Sequence, residues 1–309
     1  MEVVGNVKLN MKYYSGEDLY SDGPVEDELL SIVTNYPASE YDSIIWQKKS
    51  WPILYHLSAV RENILNWYPF RKEQTVLEVG AGCGAITGVL ADRLKKVTAI
   101  ELSKKRSMIN ANRHKECSNI EIMVGNFNDI YDGIEDSYDY VTLIGVLEYA
   151  KSYISDMNPA DAFLQKIRKL LSPGGKVMIA IENKLGLKYF AGCREDHTGN
   201  FFEGIENYIQ EPGVMTYSKK ELTELLFHNG YGNVQFYYPY PDYKLPQKIF
   251  SDTYLPQKGE LYHNMRNFDA DRLRLFDETQ AYGSILEAGL YPEFSNSFLV
   301  IAEKMEDEA

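Results

Sequence analysis

Five short apolar runs recur through the middle of the chain: Val76–Val79, Val97–Ile100, Ile120–Val124, Tyr138–Ile144 and Lys176–Ile181. Continuous apolar runs of this length predict strands buried on both faces. Between them, apolar residues return every three or four positions, which is the period of a helix with one buried face. These segments predict helices over 86–95, over about 103–115, and from Pro159 onward with Phe163, Ile167 and Leu170 on one side. Strands alternating with amphipathic helices predict a parallel sheet with helices on both faces. Ahead of the first strand, Ile53, Leu57, Val60, Ile64 and Trp67 mark one face of a helix that Ser50 and Pro52 are suited to open. Behind the fifth, Ser218-x-x-Glu221 reads as a capping box for a helix through Leu222, Leu225 and Leu226, stopped by Gly230. Val234–Tyr238 and Ser297–Ala302 then read as a sixth and a seventh strand.

This pattern sets a domain plan. Residues 1–49 are polar and turn-rich and form an N-terminal arm, either loosely packed or folded over a ligand with Tyr13 or Tyr14 on the rim. Residues 50–304 form one α/β domain, and 305–309 are a tail. Segments 184–217 and 241–296 lie outside the alternation and are too long for plain connections, so they are expected to form a cap over a substrate.

The richest stretch is Thr75–Ala85. An apolar strand carrying Glu78 runs into Gly80, Gly82 and Gly84, and a helix follows. Glycines at that turn let the backbone approach a ligand, and the helix start aims free N–H groups at it. Glu101 ends the second strand, where an acid receives the ribose hydroxyls of a nucleotide-type cofactor. By itself the turn fits two cofactor classes. Gly80-x-Gly82-x-x-Ala85 satisfies the relaxed dinucleotide fingerprint.

Glu78-x-Gly80-x-Gly82-x-Gly84 also resembles the first motif of class I S-adenosylmethionine (SAM)-dependent methyltransferases, and further residues strengthen that resemblance. Gly125-Asn126-Phe127 follows the third strand, where those enzymes hold adenine; Asn126 stands where an aspartate is usual. Ile144-Gly-Val-Leu-Glu-Tyr149 resembles their post-strand motif in small-molecule enzymes, and Leu171-Ser-Pro-Gly-Gly175 is a frequent turn among them. The resemblance implies a Rossmann-like, seven-stranded, mostly parallel sheet with an antiparallel last strand. It implies SAM as cofactor and S-adenosylhomocysteine (SAH) as product, held by Gly80, Ala81, Gly82, Glu101, Leu102, Asn126, Phe127 and Ile144. Glu182–Gly199, Phe202–Glu206 and Tyr237–Pro246 resemble a bacterial methyltransferase group associated with glycosyltransferases of cell-surface polysaccharide assembly. That implies a saccharide acceptor, with glycosyltransferases as partners.

Composition changes the picture in three places. A formal net charge of −13 repels phosphate backbones, which argues against a nucleic-acid acceptor. The basic runs Lys104–Arg106 and Arg113–Lys115 are expected on the solvated face of one helix. The 3 cysteines are scattered, with no Cys-x-x-Cys pair, so neither a disulfide scaffold nor a zinc cluster is expected. No apolar run approaches a membrane span and no signal pattern opens the chain, which together predict a cytoplasmic protein without membrane insertion.

Methyl transfer to a hydroxyl gains from a base within hydrogen-bond reach. His197, beside Glu195 and Asp196 in the first insertion, is one candidate, against a structural loop histidine; Glu148, just past the fourth strand, is the other. Arg194 is a candidate for an anionic group of the substrate, with a salt bridge to Glu195 or Glu203 as the plainer role. Tyr240 and Tyr243 offer flat faces to a sugar ring, with rigid turn packing as the equal alternative. Arg61 either meets the SAM carboxylate or is a solvated surface residue. No ligand spacing for a metal is recognisable, since Asp196 and His197 are adjacent in a loop. The sequence therefore points to O-methylation of a saccharide or glycan precursor. Methylation of another small molecule in secondary metabolism, or a non-catalytic SAM-binding module in a glycan-assembly complex, are the other readings.

Overall fold

The computed structural model of the protein describes residues 1–18, 20–210, 213–264 and 270–306; part of the expected tail, 307–309, lies outside them. The chain divides into two compact units, 1–143 with 169–176, and 144–168 with 177–309.

In the first unit, strands β1 (Glu2–Val4), β2 (Val7–Tyr13), β3 (Thr75–Val79), β4 (Lys96–Glu101), β5 (Ile120–Gly125) and β6 (Tyr138–Ile144) lie in the order β1-β2-β5-β4-β3-β6. All neighbours are parallel except the β1–β2 hairpin. Val76, Leu77, Val97, Ala99, Ile122 and Val141 are completely buried, as continuous apolar runs predict. The chain leaves β3 toward β4 and β5, then crosses back to β6 on β3's other side. That reversal places a crevice at the carboxyl end of β3, where open α/β sheets bind ligands.

The arm is not loose. β2 adds to the sheet beside β5, and α1 (Val25–Asn35) buries Leu29, Ile32 and Val33 in a cluster with Ile53, Leu57, Cys83 and Ile109. A helix α2 (Tyr41–Lys48) adds Tyr41 and Ile44 to the same cluster. Charge fixes this packing. Arg106, expected on a solvated face of α6 (Lys104–Arg113), is buried, with Nε 2.7 Å from Glu26 Oε1 and Nη2 2.7 Å from Asp22 Oδ2. His56 Nε2 lies 2.8 Å from the same Asp22 oxygen.

The predicted helix from Ser50 to Trp67 is broken. Ser58 is extended and its side chain accepts from Val60 N–H, so α3 (Trp51–Leu57) gives way to a 3-10 turn and a short α4 (Asn63–Asn66). Ile53, Leu57 and Ile64 are buried as predicted, while Val60 and Trp67 face solvent. The remaining helices of this unit are α5 (Thr87–Arg93) and α7 (Phe127–Tyr131).

Helices α8 (Ala150–Tyr153) and α9 (Pro159–Leu170) lead to β7 (Leu171–Glu182), which starts five residues earlier than predicted and takes in Leu171–Gly175. In the second unit, β7 is followed in the sheet by β10 (Ser297–Lys304), β8 (Tyr231–Tyr240) and β9 (Lys248–Ser251). β10 is antiparallel to β8, as expected of the last strand. Ten strands form among the described residues instead of seven, the additions being β1 and β2 from the arm and β9 from the second insertion. The insertions carry α10 (Leu187–Phe190), α12 (Glu278–Glu287) and α13 (Tyr291–Phe294), with α11 (Lys219–His228) between them opened by the expected capping box. They bind each other: Leu273 N–H donates to Gly192 O (2.9 Å) and Leu275 N–H to Ala191 O (3.1 Å). No helix among the described residues is long and apolar enough to cross a membrane.

Candidate functional site

In the first unit the glycine turn is built around an acid. Gly80, Gly82 and Gly84 all take positive φ, a conformation other residues adopt only with strain. The N–H groups of Gly80 and Ala81 donate to Ile100 O (2.9 and 3.0 Å), tying the turn to the end of β4. Glu101 closes the arrangement: Oε2 accepts Gly82 N–H (2.7 Å) and Oε1 accepts Ser103 N–H (2.9 Å). A Cβ at Gly82 would meet nothing within 4 Å, so the turn borders open space. Gly84 is different: a Cβ there would strike Asn110, so it serves packing.

Glu78 lies buried beneath this turn. Thr87 Oγ1 donates to it (2.7 Å), and burial pushes its carboxyl up to about 8. Burial also raises Glu101, opposed by the Ser103 N–H and Arg106. Arg61, whose plainer reading was a solvated surface residue, is 6% exposed. Its guanidinium sits 3.8 Å from the Tyr55 ring centre, and Nε and Nη1 have no hydrogen-bond partner among the described residues. Two buried, unanswered donors are costly unless an anion meets them. At the end of β5, Asn126 is half-buried and its amide oxygen accepts Asn128 N–H (2.9 Å), capping α7. Phe127 is buried and Leu102 half-buried beside Glu101. Tyr13 pairs in register with Gly125, which brings the arm to the edge of the same strand end.

In the second unit the structure gathers both base candidates. Glu148 lies on a 3-10 turn (Leu147–Tyr149), Glu182 ends β7, and His197 lies in the first insertion. His197 Nε2 faces Glu148 Oε1 at 3.6 Å and Glu182 Oε2 at 3.9 Å, and all three side chains are at most 7% exposed. The other ring nitrogen, Nδ1, is 2.9 Å from Glu195 Oε1. Glu195 is pinned in turn by the N–H groups of His197 and Thr198 (2.8 and 2.7 Å) and by Tyr208 Oη (3.2 Å). Burial opposes charge on His197, but Glu182, Glu148 and Glu195 outweigh it and raise its pKa well above the ordinary value. Burial raises the pKa of Glu148. Both oxygens of Glu148 and both of Glu182 lie outside hydrogen-bond geometry with any described group. Lys244 Nζ comes within 2.8 Å of Glu182 Oε1, and it also serves Asp196, together with Lys188.

The other predicted contacts fall elsewhere. Arg194 pairs with Asp271 (2.9 Å) and stacks on Phe201, instead of meeting Glu195 or Glu203. Tyr240 is 2% exposed, and its hydroxyl donates to Asn264 Oδ1 (2.8 Å) and accepts from His263 N–H (2.6 Å). Tyr243 is buried with its hydroxyl beside Gly145, next to Glu148. Ile144 is half-buried at the end of β6. An open groove of about 480 Å³ is lined by Asp161, Met215, Tyr217, Glu221, Glu224 and His228; Met215 N–H donates to Glu148 O (2.9 Å). Sequence reading missed Glu182, although an acid ending an apolar strand was the same signal that marked Glu101.

Residues 77–177 match the family model of a methyltransferase domain. Phosphoethanolamine N-methyltransferase 2 of Caenorhabditis elegans is 24% identical over 201 residues, 64% of this chain and 40% of that protein. Ribosomal RNA small subunit methyltransferase A of Clostridium botulinum is 32% identical over 92 residues, 29% of this chain and 34% of that protein. The chain thus spans less than half the length of either curated relative. The solved structure of phosphoethanolamine N-methyltransferase 1 of Haemonchus contortus, in complex with phosphoethanolamine and SAH, aligns with a TM-score of 0.50 at 14% identity. The alignment covers 94% of this chain and 51% of that one. The fold is the Rossmann-like α/β fold of SAM-dependent methyltransferases, and SAM is the cofactor of such a domain.

Proposed function

We propose that the protein is a SAM-dependent methyltransferase that methylates a hydroxyl of a small polar acceptor, a saccharide or glycan precursor. The residues of the glycine turn fit the cofactor. Gly82 leaves open space at its Cα, Glu101 presents two acceptor oxygens with lone pairs to spare, and Arg61 carries buried donors that lack a partner among the described residues. On this reading Glu101 receives the ribose hydroxyls, Asn126 and Phe127 hold adenine, and Arg61 meets the carboxylate of the amino-acid end. When bound, SAM supplies an electrophilic methyl carbon for in-line transfer. The protein's own part is to orient both partners, exclude water and accept the hydroxyl proton.

The observation that carries the hydroxyl reading is Glu148, a fully buried carboxylate with no hydrogen bond to either oxygen among the described residues and with His197 Nε2 at 3.6 Å. On this reading His197, whose pKa its carboxylate neighbours raise, is the positioning cation, and Glu148 is the group that takes the proton. Burial makes Glu148 a stronger base than an exposed carboxylate. Glycosyltransferase partners follow from the sequence resemblance alone. A second reading has its own support. The phosphoethanolamine enzymes among the relatives methylate an amine, and an ammonium group would pair with Glu148 and Glu182 without needing a base.

The test has two arms. Calorimetry should show SAH binding, weakened in Arg61→Met, while 5′-methylthioadenosine, which lacks the carboxylate, binds both proteins alike. Transfer of labelled methyl from SAM should then be assayed on saccharide and on amino-alcohol phosphate acceptors. No SAH binding at high micromolar ligand would sink the reading; transfer only to amines would select the second.

A further inference from the structure

We propose that Glu148, Glu182 and His197 form a site for one divalent transition-metal ion, of the zinc, manganese or cobalt kind. The ligands are His197 Nε2 and one oxygen from each carboxylate. The inference does not depend on SAM binding, and it assigns Glu148 to the ion in place of the proton-accepting role given to it above.

The geometry is the first argument. One ligand atom from each residue lies within 4.8 Å of the others. Donors on one such ion, bonded at about 2.0–2.2 Å, sit roughly 3–3.5 Å from each other. His197 Nε2 is 3.6 Å from Glu148 Oε1 and 3.9 Å from Glu182 Oε2, so small side-chain rotations bring all three into range. The alternative occupant of this space is the proton on Nε2. One N–H points at one oxygen only, and both separations exceed a hydrogen bond. The proton therefore leaves both Glu148 oxygens and Glu182 Oε2 without a hydrogen bond among the described residues, in a setting where buried polar groups are almost always satisfied, while Glu182 Oε1 is met by Lys244 at 2.8 Å.

The outer contacts are the second argument. A histidine that ligates metal usually gives its other ring nitrogen to a carboxylate, which fixes the tautomer and the ring plane. Glu195 does this for His197 at Nδ1, and Glu195 is itself locked by two backbone N–H groups and Tyr208. The ring of Tyr149 packs edge-on against the imidazole, 5.3 Å between centres, and limits its rotation. Glu182 is carried by the buried end of β7, residues 177–182, and Lys244, now at its Oε1, keeps Asp196 as partner when an ion takes the other oxygen. Imidazole with carboxylate oxygen selects zinc, manganese or cobalt over magnesium or calcium, which take oxygen alone. With the ion in place Glu148 is a ligand and no longer the proton acceptor.

The test uses the full chain, stripped with a chelator and titrated with Co²⁺. One equivalent should give a visible d–d absorption band and raise the thermal midpoint. Zn²⁺ should displace Co²⁺ and bleach the band. Glu148→Gln and His197→Gln should abolish the band, and Glu195→Gln should weaken binding by about 10- to 100-fold. Should these variants fail to fold, judged by circular dichroism, nitrogen NMR of the wild-type imidazoles decides. Of the 5 histidines, His197 alone should shift on adding Zn²⁺. No band at millimolar Co²⁺, equal binding by folded variants, or an unshifted His197 each overturn the proposal.

Discussion

Replacing Glu101 by glutamine keeps the shape of the side chain and removes one acceptor. The carboxylate receives Gly82 N–H at 2.7 Å and Ser103 N–H at 2.9 Å, one on each oxygen. In glutamine one of those oxygens becomes an NH₂ group. Flipping the amide only chooses which backbone N–H is left facing another donor. A hydrogen bond to a charged group contributes about 1.5–3 kcal/mol, and orphaning its buried donor costs a similar amount. The ribose diol also finds one acceptor oxygen where it had two. SAH affinity should therefore fall by about 10- to 100-fold, the equivalent of roughly 1.4–2.8 kcal/mol. Calorimetry with SAH measures this directly, with Glu116→Gln, an exposed carboxylate, as the variant expected to match wild type. The thermal midpoint checks that the turn still folds. A loss of less than threefold would refute the reasoning. It would mean that burial has already protonated Glu101, so that the glutamine merely reproduces the neutral acid.

Two further outcomes follow from groups buried in the first unit. Glu26→Ala removes the carboxylate that holds Arg106 Nε, Ser21 Oγ and Asp22 N–H. Breaking a buried pair costs about 3–5 kcal/mol, and the surviving Asp22 contact puts the effect at the lower end. Thermal unfolding should show the loss and limited proteolysis should open residues 1–49; an arm cleaved no faster than in wild type would contradict the clamp. Burial, with Arg113 adding to it, holds His114 down to about 4, and its Nε2 lies 2.9 Å from Gly84 O. A folded pKa below the unfolded value near 6.5 means that the unfolded chain takes the proton first. Stability is then present above that value and is lost as pH falls toward 4, by up to about 3 kcal/mol. Urea midpoints of wild type and His114→Gln should converge as pH drops through this window, and parallel curves would dismiss the effect.

The sequence by itself determined the β3–glycine–β4 cradle, because everything it needs is local. Continuous apolar runs specify doubly buried strands, glycines at alternate positions specify the positive-φ turn, and Glu101 follows its strand directly. The position of Asn126 directly after a strand was legible for the same reason, and so was the capping box at Ser218. Periodicity failed where a local hydrogen bond competed with it, as at Ser58, whose capping of Val60 breaks the helix from Ser50.

Only the tertiary structure decided what the charged residues do. Arg106 and Arg61 look like solvated surface residues in sequence, and they are buried because partners or packing arrive from distant segments. Arg194 found Asp271 across the two insertions, and the arm's acids found Arg106. Glu148, Glu182 and His197 come from a turn, a strand end and an insertion, with no spacing that links them. A buried charge is tolerated only beside an opposite charge or a ligand, and which residues meet is fixed by chain crossings that no window of neighbouring residues contains.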